Sequence, residues 1–139
     1  MIILDTNVLS ALMDLAPDVR VVNWLNHQPE SSVWTTTITL MELRYGVASV
    51  PPGKRRQTLA KGLQAVLHKE IEGRVVAFDV AAAELAAELS ALRRKRGRPI
   101  GFRDTMIGGI ALATRATLAT RNTFDFEDLS VPVVNPWTA

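Results

Sequence analysis

Short apolar runs alternate with stretches of helical periodicity along this chain, and that alternation restricts the fold more than any other feature. Ile2-Ile3-Leu4, Val33-Trp34-Thr35-Thr36, Val75-Val76-Ala77-Phe78, Thr117-Leu118-Ala119-Thr120 and Val133-Val134 are short and rich in β-branched or large apolar side chains, so they read as buried strands. Between them, apolar residues recur three and four positions apart. Val8, Leu9, Leu12 and Met13 form one such set, Val21, Val22 and Leu25 a second, and Leu40, Leu43 and Val47 a third. Leu59, Leu63, Val66 and Leu67 form a fourth, and Ile107, Ile110 and Ala111 another. Each set marks a helix with one buried face. Strands that are apolar nearly throughout need cover on both faces, and intervening helices supply it when the sheet is mostly parallel. The expected class is α/β, one domain over residues 1–139 with no internal repeat.

Local signals set the expected boundaries. Asp5-Thr6-Asn7 ends the first strand and starts a helix, and Pro17-Asp18 opens a second. A third helix runs from about Thr39, and Pro51-Pro52-Gly53 breaks the chain before a helix over Arg55 to Ile71. Ala81 to Arg96 is alanine- and leucine-rich helix stopped by Gly97, and after the loop Gly97-Arg98-Pro99-Ile100-Gly101 a further helix opens at Asp104.

The chain has no cysteine, so disulfides and thiolate metal sites are excluded and any metal must be held by oxygen or imidazole. The two histidines, His27 and His68, lie outside the acidic motifs and read as surface or helix-face residues. The N-terminus carries neither a basic leader nor a long apolar stretch, so a cytoplasmic protein is expected, with no membrane partner. Net charge is only +2, but it is unevenly spread: Lys54-Arg55-Arg56 form one basic cluster and Arg93-Arg94-Lys95-Arg96 with Arg98 a larger one. On charge alone the larger run reads as a solvated helix C-terminus, where cations favour the macrodipole.

In an open parallel sheet, ligands bind beyond the carboxyl ends of the strands, where loops and helix N-termini converge. Asp5 stands at that end of the first strand, Asp104 begins the helix after the glycine loop, and Arg121-Asn122 follows the strand ending at Thr120. Alone, Asp5 and Asp104 each read as a helix cap, and Glu42 shares a stripe with Thr39, Gly46 and Ser49 that would suit the solvent side. Together they would crowd carboxylates into one crevice, and such crowding raises their pKa values or demands a cation between them. An all-oxygen donor set suits Mg2+ or Mn2+ rather than zinc.

These segments, taken in order, resemble a known family. Ile3-Leu4-Asp5-Thr6-Asn7-Val8, Thr39-Leu40-Met41-Glu42-Leu43 with Gly46, and Gly97-Arg98-Pro99-Ile100 leading to Asp104 are the first three. Thr120-Arg121-Asn122 with Asp125-Phe126, and Val133-Val134-Asn135-Pro136-Trp137, complete the series over essentially the whole chain. The set resembles the PIN-domain nucleases, and among them the VapC toxins of bacterial toxin-antitoxin pairs, particularly the FitB-like group. The resemblance implies a three-layer α/β/α sandwich around a sheet of about five strands, a homodimer, and a cognate antitoxin that blocks the site. It also implies an endoribonuclease that uses Mg2+ or Mn2+ to activate water against RNA phosphodiesters.

By the same resemblance Asp5 and Asp104 would be metal ligands and Glu42 a further acidic member. Asn122 would take a fourth position where many relatives carry aspartate, with Asp125 as the alternative. The basic run lies just before Asp104, so Arg94, Arg96 and Arg98, with Arg121, are the expected contacts to RNA phosphates. Three rival readings follow from the same residues. One is a PIN-like scaffold that binds without cutting, motivated by the amide at Asn122. Another is a haloacid-dehalogenase-like phosphatase, which would need an acid where Asn7 stands. The third is a receiver domain with Asp79 as phosphoacceptor, which lacks its lysine near Val133-Val134.

Overall fold

Each short apolar run of the sequence becomes a strand. In the computed structural model, which describes residues Met1–Ala139, these are β1 (Ile2–Leu4), β2 (Val33–Thr36), β3 (Val75–Val76), β4 (Thr117–Ala119) and β5 (Val133–Val134). They form one sheet in the order β3-β2-β1-β4-β5. All of its pairings are parallel, because every strand is separated from the next by a crossover. The helices are α1 (Thr6–Met13), α2 (Val19–Asn26), α3 (Thr37–Ala48), α4 (Lys54–Val66), α5 (Val80–Lys95) and α6 (Phe102–Thr114).

The two-residue period of the strands divides the core. Leu4 and Ala119 point into a cluster with Val8, Leu9, Val21 and Leu63, whereas their neighbours Ile3 and Leu118 join Ala82, Leu89, Ile107 and Ile110. Helices α1, α2 and α4 therefore cover one face of the sheet and α5 and α6 the other, which is the expected three-layer sandwich. The α5–α6 contact is close because Gly109 leaves no room to spare: a β-carbon there would stand 2.5 Å from the Ala82 carbonyl oxygen.

Some boundaries differ from expectation, each for a local reason. Helix α3 starts at Thr37 because the hydroxyl of Thr36 caps it, accepting the Thr39 N–H at 3.1 Å. The helix expected over Arg55 to Ile71 is α4 followed by a π-helical turn, Leu67–Ile71, that ends at left-handed Glu72 with φ 51°. Helix α6 begins at Phe102 with Gly101 at its N-cap, so Asp104 lies in the first turn and is not the cap. No helix is long and apolar enough to cross a membrane.

Strand order positions the site. From β1 the chain moves outward to β2 and β3, then crosses back to β4 and β5 on the other side of β1. The direction of winding thus reverses between β1 and β4, and a crevice opens beyond their carboxyl ends.

Candidate active site

Asp5 follows β1 directly and caps α1: its Oδ1 accepts the Thr6 N–H at 2.8 Å. The cap is only half of its role. Oδ2 accepts the hydroxyl of Thr120 at 2.7 Å and the Asn7 amide at 3.4 Å. The carboxylate is only 3% exposed, and no basic side chain pairs with it. Its pKa is raised from 3.8 to about 6: burial is the main cause, the hydrogen bonds from Thr120 and Thr6 oppose it, and the charges of Asp104 and Glu42 add to it.

Thr120, buried at the end of β4, joins the two central strands. Its Oγ1 accepts the Asn122 N–H at 3.0 Å and the Asn7 amide at 3.3 Å, while Asn7 Oδ1 accepts the Arg121 N–H at 3.0 Å. Glu42 reaches the same crevice from α3, its side chain 19% exposed. Its Oε1 accepts the hydroxyl of Thr6 at 3.2 Å, which in turn lies 3.1 Å from that of Thr39, and its Oε2 lies 3.6 Å from Arg103 Nη1. The stripe that read as the solvent side of the third helix thus faces the crevice at Glu42 and Thr39.

Asp104, partly buried in the first turn of α6, also has its pKa raised. Desolvation is the main cause, followed by the charges of Asp125 and Glu42, with Arg93 and Arg103 acting in the opposite sense. Asp5, Glu42 and Asp104 therefore share one electrostatic neighbourhood, as the sequence led us to expect. Asp125 belongs to it as well. Asn122 precedes the 3-10 turn Thr123–Phe126 that carries Asp125, and its own side chain is exposed and makes no hydrogen bond within the chain.

The basic residues divide into different roles. Arg94 and Arg96 are exposed. Arg98 pairs with Glu127 at 2.8 Å, packs 3.9 Å over the Phe124 ring and donates to the Phe124 carbonyl. The guanidinium of Arg121 lies 4.9 Å over Trp137. Arg93 departs from the expectation of a solvated run: it is 1% exposed and forms a two-pronged ion pair with Asp128 at 2.8 and 2.9 Å. The buried stripe of α5 runs Ala82, Ala86, Leu89, Arg93, so the helical period itself continues through the arginine, a signal that the surrounding charge obscured. Arg103 was also passed over, although it stands beside Asp104 in sequence. His27 and His68 are exposed as expected, and Asp79 caps α5 behind the edge strand β3, two strands from Asp5.

No group of three or more Asp, Glu or His side chains is gathered closely enough to hold an ion by itself. Mg2+ rarely needs such a cage, since it usually keeps several waters and takes one or two carboxylates. Asp5 and Asp104, both driven toward protonation first by burial and then by neighbouring carboxylates, fit that demand: a divalent cation would favour their charged forms and offset the repulsion.

The PIN domain family model matches residues 2–131. Over 137 residues the chain is 38% identical to VapC ribonuclease Y4jK of Sinorhizobium fredii, covering 99% of this chain and 98% of that protein. It is 36% identical to Toxin FitB of Neisseria gonorrhoeae over 137 residues, 99% of each. The crystal structure of FitAcB from Neisseria gonorrhoeae aligns with TM-score 0.89 and 35% identity across 100% of both chains. The family model thus covers most of the chain and the fold aligns with such a relative from end to end, and the chain belongs to the PIN-domain family.

Proposed function

We propose that the chain is the ribonuclease toxin of a toxin-antitoxin pair, hydrolysing RNA phosphodiesters with Mg2+ or Mn2+. One observation carries the reading: a buried carboxylate, Asp5, stands without a cationic partner beside two more carboxylates at the switch point of a parallel sheet. Buried charges are otherwise paired or coordinate metals. The names of the relatives, a VapC ribonuclease and a toxin, support the same chemistry.

In this reading Asp5 and Asp104 hold the ion. When bound, such an ion lowers the pKa of a water and neutralises charge developing on the phosphate. Thr120 and the Thr6 N–H hold the Asp5 carboxylate in one orientation, and the hydroxyl of Thr6 does the same for Glu42. Glu42 orients the attacking water, Asp125 adds negative charge beside Asp104, and the exposed amide of Asn122 contacts water or phosphate at the rim. Arg94, Arg96, Arg98 and Arg121 contact the RNA backbone, Arg98 and Arg121 by exchanging partners within the chain for phosphates. An antitoxin and a second copy of the chain, both taken from the resemblance, complete the reading.

The test is cleavage of a pool of structured RNAs with Mg2+, with Mn2+ and with chelator, repeated with Asp5→Asn and Asp104→Asn. Cleavage that needs the ion and vanishes in both folded variants is expected. A second reading, a scaffold that binds RNA without cutting, has in its favour that Arg103 engages Glu42 and that no three acidic side chains lie close enough to hold an ion by themselves. RNA binding without cleavage under any of these conditions would select it.

A further inference from the structure

We infer that Arg93 is a positioning residue for the acidic centre, holding Asp104 and Asp125 at their working separation. The inference rests on the nuclease reading above. Two like-charged carboxylates on separate segments do not approach unless something fixes both backbones, and Arg93 reaches both. Its Nη1 donates to Thr105 Oγ1 at 3.1 Å, next to Asp104 in the first turn of α6. Its Nη2 donates to the Asp125 carbonyl at 2.8 Å. The remaining prongs, Nε and again Nη2, hold Asp128 at 2.8 and 2.9 Å just beyond the turn that carries Asp125.

One planar guanidinium thus joins α5, α6 and the 123–126 turn through four hydrogen bonds, a fan of donors that no other side chain offers. Packing alone does not require it. Buried ion pairs are often replaceable by apolar residues without loss of stability, and α5 and α6 already meet closely through Gly109, Ala82 and Ala86. The arginine bonds the neighbour of one carboxylate and the backbone of the other, which is what a positioning role demands.

Arg93→Lys keeps the charge and loses the fork. Its Mn2+ affinity, measured by calorimetry on the whole chain, is expected to fall about ten-fold or more, the usual effect of removing a group that orients metal ligands. Its kcat on RNA should fall by a similar factor with KM little changed. Leu63→Ala, in the core on the opposite face of the sheet, is the control for lost stability: its melting temperature should drop while its Mn2+ affinity stays that of wild type. If Arg93→Lys does not fold, Thr105→Val, which removes one of the four acceptor contacts at nearly constant shape, carries the test through the same measurements.

Wild-type Mn2+ affinity in the folded Arg93→Lys chain, or in Thr105→Val where that variant is used, overturns the inference and leaves the nuclease reading intact. A loss no larger than that of Leu63→Ala also overturns it. A wild-type chain that binds no Mn2+ overturns both.

Discussion

Replacing Asp5 by asparagine should change the pH dependence of stability in the absence of metal, by an amount that follows from its burial. The folded-state pKa of about 6 lies above the ordinary 3.8, so the folded chain holds this proton more tightly than the unfolded chain does. The stabilising contribution is therefore fully present below pH 3.8 and is lost as pH rises through about 6. The rise from 3.8 to about 6, at about 1.4 kcal/mol per pKa unit, corresponds to roughly 3 kcal/mol. For a chain of this size that is roughly 10 °C in melting temperature.

Asp5→Asn cannot titrate, so its stability relative to wild type should improve by that amount between pH 3.5 and pH 7.5. The variant also exchanges the charge-assisted bond from Thr120 for a neutral one; the pH-dependent part of that bond is already contained in the pKa of about 6, and the remainder is a constant offset. Other shifted groups, the raised Asp104 and the lowered Asp18 and Asp128, contribute to both proteins and largely cancel in the comparison. Urea melts in chelator at half-unit pH steps measure the difference. A variant-minus-wild-type difference that stays flat across this range would refute the claim that Asp5 is buried and uncompensated, and with it the reason for expecting a cation there.

Further outcomes follow from the same geometry. Thr120→Val removes the shortest bond to the Asp5 carboxylate and strands the Asn122 N–H, so it should cost about 1–3 kcal/mol and raise the Asp5 pKa further, read by melts and by side-chain carbonyl NMR. Asp125→Asn should weaken Mn2+ binding because its charge reaches Asp104, whereas Asn122→Asp, at an exposed position, should change it less; the opposite order in calorimetry would return the fourth place to Asn122. Gly109→Ala puts a methyl against the Ala82 carbonyl and the Ala86 β-carbon, 2.8 Å away, and should destabilise by about 1–3 kcal/mol or more in urea melts. Affinity for RNA should fall steeply between low and physiological salt, and Arg94→Ala with Arg96→Ala should flatten that slope; an unchanged slope would remove both from the interface.

Much of the architecture was legible because burial is periodic along a single element. Ile3 beside Leu4 and Leu118 beside Ala119 announce strands covered on both faces, and the intervening helices each show one apolar stripe, so the α/β class and the position of Asp5 at a strand's carboxyl end needed no coordinates. Glu42 and Asp104 became candidates only in combination with Asp5, since each by itself reads as a solvent-facing or capping acid, and their roles came from the ordered resemblance to a family. Tertiary structure alone decided which charges meet. Arg93 and Asp128 are 35 residues apart, Asp5 and Thr120 are 115 apart, and a one-dimensional period carries no information about such pairs. Within the run Arg93 to Arg96, identical charges occupy opposite environments because only one side of α5 meets α6, and the arginine on that side is buried while its neighbours stay in water. Likewise the distinction between Asn122 and Asp125 depends on how a short 3-10 turn is held by Arg93 of α5, a matter of hydrogen bonding between segments distant in sequence.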